Sequence, residues 1–77
     1  MKTLPADCLI HIDEELPSDE VHDMERHFAG EAGVISACVP SRTPHLMVVD
    51  YDPDRTTAGR LLDSVRASGL HAELVGL

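Results

Sequence analysis

VDYDPDRTTAGRLLDSVRASGLHAELVGL, residues Val49 to Leu77, packs the end of one strand, a turn, a helix and a last strand into 29 residues. Leu46 to Tyr51 is rich in β-branched residues and reads as a strand. Asp52-Pro53-Asp54 is turn chemistry: the proline presets φ and the aspartates bond their own backbone. Thr57 is placed to cap a helix, since its hydroxyl can accept from an orphan amide. Ala58, Leu61, Leu62 and Val65 then recur on one helical face. Ser68-Gly69 stops that helix, and Leu70 to Val75 is a final strand.

Working back towards the N-terminus, the same grammar repeats. PSRTP, with prolines at 40 and 44, is a loop, and Val34 to Val39 before it is a strand. Gly30 marks a helix end and Gly33 a turn. Ser18 is expected to cap the helix, with Asp19 and Glu20 in its first turn, where the helix dipole favours negative charge. Val21, Met24 and Phe28 supply its apolar face, and Cys8 to Ile12 is a strand. Met1 to Ala6 reads as a loose tail.

The order is β-α-β-β-α-β. Hairpin pairing and the handedness of crossovers then lead to an α+β, ferredoxin-like sandwich: a four-stranded antiparallel sheet with both helices on one face. At 77 residues the whole chain, 1–77, is expected to form one domain with a thin core. Strand alternation assigns Ile10, Ile12, Val34, Ala37, Val39, Met47, Val49, Tyr51, Ala72 and Leu74 to the helix-covered face. Leu9, His11, Asp13, Cys38, Leu46, Val48, Asp50, His71, Glu73 and Val75 are expected on the open one.

Charge narrows the function classes. Six basic residues stand against 14 acids, for a formal net charge of −8. A nucleic-acid partner needs a basic footprint, and an anionic membrane surface repels such a chain. No nucleic acid and no membrane are expected; basic proteins or cations are. MKTLPAD offers no long apolar segment, so the expectation is a soluble, cytoplasmic, reduced protein. The two cysteines, Cys8 and Cys38, form no C-x-x-C pair. Whether they remain thiols stays open.

The opening stretch also resembles the heavy-metal-associated domain of copper chaperones, mercury-binding proteins and metal-pumping ATPases. Val49, Tyr51, Asp52 and Pro53 match that family's V-x-Y-D-P turn. Leu61, Val65, Gly69 and Ala72 match its second helix and last strand, with Leu70 in place of the usual aromatic. Gly33-Val34 matches the pair that opens its second strand. The resemblance implies the fold given above and a metal-transport setting. The family's Met-x-Cys-x-x-Cys would fall near Glu15, Pro17 and Glu20, so both thiolates are missing. Soft Cu(I) wants sulfur, and carboxylates do not replace it.

What stands there instead is DEELPSDE, Asp13 to Glu20. It reads first as a helix start followed by a solvated loop. Asp13, Glu14, Glu15, Asp19 and Glu20 offer oxygens that Ca²⁺ or Mg²⁺ could use, but the D-x-D-x-D-G pattern is absent, and five acids in a short loop are also simply a repulsive cluster. A third reading adds histidines. In this topology the first and last strands are antiparallel neighbours, so His11, Asp13, His71 and Glu73 share the open face and could hold Zn²⁺ or Ni²⁺. An ordinary surface ion pair explains the same residues. His45 is expected at the acidic-loop end of the sheet, His22 in solvent, and His27 at the core edge paired with Asp23.

Two functions follow. The leading one is a small non-catalytic module acting through protein contacts. Its docking residues would be Glu14, Glu15, Asp19 and Glu20 in the loop, and Leu9, Leu46 and Val48 on the open face. The partner would be an unidentified, basic protein or a second copy. The alternative is a divalent-metal-binding or transport protein using His11, Asp13, His71 and Glu73, with no other cofactor. No acid–base pair, nucleophile arrangement or phosphate loop points to an enzyme.

Overall fold

A computed structural model of the chain describes residues 4–75. The elements are β1 (Ala6–Ile12), α1 (Ser18–Ala29), β2 (Val34–Cys38), β3 (Leu46–Tyr51), α2 (Ala58–Ala67) and β4 (Ala72–Val75). The four strands form one antiparallel sheet in the order β2-β3-β1-β4. This is the ferredoxin-like arrangement. Residues 1–3, in the expected tail, and 76–77 lie outside the described segment.

One core lies between the sheet and the helices. Ile10, Ile12, Met47, Val49 and Ala72 supply it from the strands, Phe28 from α1, and Leu61 and Val65 from α2. Fully burying a side chain of this kind contributes about 1.5–3 kcal/mol. Cys8, Met24, Val34, Ala37, Val39, Tyr51, Leu62 and Leu70 pack around its edge.

The sequence assigned both Val34 and Ala37 to the covered face, which strict alternation forbids. A bulge resolves the conflict. Val34 opposes Tyr51 and Ser36 opposes Asp50, leaving Ile35 as the extra residue, 57% exposed. After it the parity is reset: Ala37 opposes buried Val49, and Cys38 opposes Val48.

Three expectations are corrected. Ser18 does not cap α1. Pro17 occupies the cap position and its carbonyl accepts from the amide of Val21 at 3.0 Å, so Ser18 is already helical. His27 does not pair with Asp23, which takes the Arg26 guanidinium at 2.8 Å; His27 Nε2 faces Glu31 at 3.7 Å. Leu74 opposes buried Ile10 yet is 40% exposed, because β4 is an edge strand. His22 is solvated as expected and sits 3.3 Å from Glu25. Glu25 also accepts from the amide of Val39 at 2.9 Å, tying α1 to the chain leaving β2.

Thr57 caps α2, its hydroxyl accepting from the Arg60 amide at 3.2 Å. Gly33 is required by two facts together. Its φ is +86°, and a Cβ there would lie 2.9 Å from Cγ2 of Thr56, a buried side chain. Its carbonyl accepts from the Asp52 amide at 2.8 Å, closing the end of the hairpin.

Candidate metal centre on the open face

β1 puts His11 on the open face, between buried Ile10 and Ile12 on the other. On β4, Glu73 lies directly opposite His11 in the pairing register. Asp13 follows β1 and continues the ladder, its amide donating to the His71 carbonyl at 2.9 Å. One ligand atom from each of His11, Asp13 and Glu73 lies within 4.8 Å of the others. Nδ1 of His11 is 3.2 Å from a carboxylate oxygen of Asp13. That nitrogen is shielded from solvent and has no aligned hydrogen-bond partner.

Four donors at about 2.0–2.2 Å around a tetrahedral zinc stand ~3.4 Å apart. The trio is thus gathered but not closed. Imidazole plus carboxylate is a donor set that borderline divalent ions accept. Asp13 and Glu73 are exposed, while His11 keeps 38% of its side chain in solvent.

His71, the fourth residue singled out by the sequence, turns elsewhere. Its Nδ1 donates to Glu14 at 2.6 Å, and its backbone amide donates to the other oxygen of the same carboxylate at 2.8 Å. This two-point clamp fastens the loop after β1 to the start of β4. The hydrogen bond from His71 holds the Glu14 carboxyl below its ordinary range, and the same contact raises the His71 imidazole. The His71 side chain is 81% exposed, so solvent screens the pair. Glu14 is thereby occupied within the fold, whereas Glu15, Asp19 and Glu20 are exposed. A concavity of about 340 Å³ is lined by Asp13, His71 and Glu73 together with Arg66, Leu70 and Ala72. Arg66 donates there to the Ala72 carbonyl at 3.0 Å, and its positive charge offsets part of the acid charge.

His45 stands over His11, the two rings 6.0 Å apart and 22° from parallel. Its Nδ1 is 2.8 Å from the Ile12 carbonyl, and its own carbonyl accepts from the Ile12 amide at 2.8 Å. Sequence placed His45 at this end of the sheet. The ring stacking depends on how the 40–45 loop folds back on β1, for which the residue pattern carries no signal.

The rest of the open face is banded. Cys38, Val48, Leu9 and Val75 run in register across all four strands. On one side of that row lie Asp7, Asp50 and Ser36, whose hydroxyl donates to Asp50 at 2.9 Å. On the other lie Leu46, His11 and Glu73. Leu9, Leu46 and Val48 are half-buried there, and Val75 is 38% exposed. Cys8 and Cys38 are both thiols. Burial foremost, then Asp7 and Asp50, pushes the Cys8 thiol up, away from the thiolate form. Among the described residues no helix is long and apolar enough to cross a membrane.

No family model matches the chain, and no curated protein matches it. Solved structures do. One, described as "Crosstalk between Cu(I) and Zn(II) homeostasis", is 26% identical with a TM-score of 0.76; the match covers 91% of this chain and 99% of that one.

Proposed function

We propose that this is a non-catalytic metal-homeostasis module that binds a borderline divalent cation, Zn²⁺ or Ni²⁺, at His11, Asp13 and Glu73. The observation that carries the reading is the convergence of three donor atoms of suitable chemistry within 4.8 Å, one from an imidazole and two from carboxylates. Two further facts support it. The His11 Nδ1 has no hydrogen bond to lose when the ring reorients towards an ion. A solved structure of the same fold is described by copper and zinc homeostasis.

The chemistry also sets the ion class. The chain has no C-x-x-C, and burial pushes the Cys8 thiol up, away from the thiolate form, so Cu(I) lacks a paired-thiolate site. His71 acts from outside the trio. Its clamp with Glu14 fixes the chain on both sides of the site, at Asp13 and at Glu73. Binding weakens on acidification, because protons compete for the same donor atoms.

The test is an amide-correlation NMR titration of the reduced protein at neutral pH with Zn²⁺, Ni²⁺, Ca²⁺ and Cu(I). Saturable shifts centred on His11, Asp13 and Glu73 with Zn²⁺ or Ni²⁺ are expected. No saturable shift with either ion removes the reading.

A second reading has its own observation. The apolar row of Cys38, Val48, Leu9 and Val75 crosses the whole open face without a helix over it, which favours a protein contact. With exposed Glu15, Asp19 and Glu20 nearby in sequence, a basic partner fits best. A second copy is the other occupant, and sedimentation over a concentration series separates the two.

A further inference from the structure

We infer that His45 supplies a fourth ligand, through Nε2, to a zinc-class ion held by His11, Asp13 and Glu73; the inference rests on the metal reading above. A protein zinc site takes four donors, or three and a water, and the trio leaves one position open. His45 lies outside the 4.8 Å grouping of the trio, but its ring stacks on that of His11 with the centroids 6.0 Å apart.

The hydrogen bonding of His45 suits that role. A carbonyl only accepts, so the 2.8 Å contact with the Ile12 oxygen requires His45 Nδ1 to carry the proton. In the neutral ring Nε2 then holds a lone pair. An imidazole bound through one nitrogen while the other donates to a backbone carbonyl is the usual support of a metal-ligating histidine. The anchor is rigid, because the Ile12 amide also donates to the His45 carbonyl. Ile12 itself is a buried core residue. The two stacked rings are therefore unlike. His45 is committed to one tautomer, while His11 Nδ1 has no hydrogen bond to fix it. Metal binding commits both, and the second imidazole completes a two-nitrogen, two-oxygen set.

Two variants separate a ligand from a structural part. His45→Asn places an amide N–H near the position of Nδ1, so it keeps the bond to Ile12 but has no counterpart of Nε2. His45→Ala loses both. The full chain is titrated with Zn²⁺ by calorimetry and with Co²⁺ by visible absorption. His45 ring nitrogens are followed by long-range proton–nitrogen correlation. In the wild type the His45 Nε2 resonance should move with Zn²⁺ to the same end point as His11. His45→Asn should bind Zn²⁺ more than about 100-fold more weakly, above the range that losing only a supporting partner costs. Its Co²⁺ absorption should shift from the wild-type spectrum as water replaces one nitrogen ligand, with an unchanged apo amide spectrum. Unaltered affinity and absorption in His45→Asn, with a silent Nε2, overturn the inference and leave the three-ligand reading standing. No saturable binding in the wild type overturns both.

Discussion

The two faces of the sheet are built from the same strands and treat their residues in opposite ways. Along β1, Ile10 and Ile12 are buried beneath the helices, while Leu9 and His11 between and beside them stay at least partly in water. On the covered face the buried cluster is made of apolar side chains, so burial is decided by transfer out of water and by packing. On the open face apolar and ionisable residues alternate by row: Asp7 with Asp50, then Leu9 with Val48, then His11 with Leu46 and Glu73. Side chains there stay partly in water, and the fold depends on them less. The difference teaches where to look for function in a domain this small: on the face that stability leaves alone.

Substitutions can break that division. The largest effect expected is at Phe28, fully buried from α1. Phe28→Ala should cost about 3–5 kcal/mol, out of a total of about 4–12 kcal/mol for a chain of this length. Val48→Ala on the open face should cost about 1 kcal/mol, in line with its partial burial. Urea midpoints measure both, and equal losses would erase the contrast.

Next comes the site. His11→Ala should weaken Zn²⁺ binding about 100-fold or more, near 2.7 kcal/mol, while the urea midpoint of the apoprotein moves by under ~1 kcal/mol. A large stability loss instead would make His11 part of the core rather than a ligand. Between site and core lies the turn: Gly33→Ala forces a positive φ on a side chain that meets Thr56, and about 2 kcal/mol should be lost. Thr57→Ala removes the cap of α2 and should cost about 1 kcal/mol.

The smallest effect sharpens the comparison at its edge. In the Glu14–His71 clamp the imidazole is raised, so its contribution is full below the ordinary histidine range and fades as pH rises through the raised value. The carboxyl is lowered, so its share is full above the ordinary carboxylate range and fades as pH falls through the lowered value. The clamp is complete between those limits. In Glu14→Gln the His71 imidazole should titrate lower than in the wild type. An NMR pH titration of His71 reads this directly, with little change in the urea midpoint because the pair is exposed.

The sequence by itself determined the elements and their order. Thr57 with the spacing of Leu61 and Val65, and the Asp-Pro-Asp turn, are local signals, and local chemistry needs only near neighbours in the chain. Alternation placed His11 and Glu73 on one face for the same reason. Tertiary structure decided the rest. The bulge at Ile35 exists because Val34 and Ala37 must both reach the core. The shift of the helix cap from Ser18 to Pro17 is by contrast local, since the Pro17 carbonyl takes the Val21 amide. His71 was drawn to Glu14, 57 residues away in sequence, and His45 was laid over His11 by two bonds to Ile12. A site assembled across strands depends on register and on which donor finds which acceptor, and no periodicity in one segment encodes either.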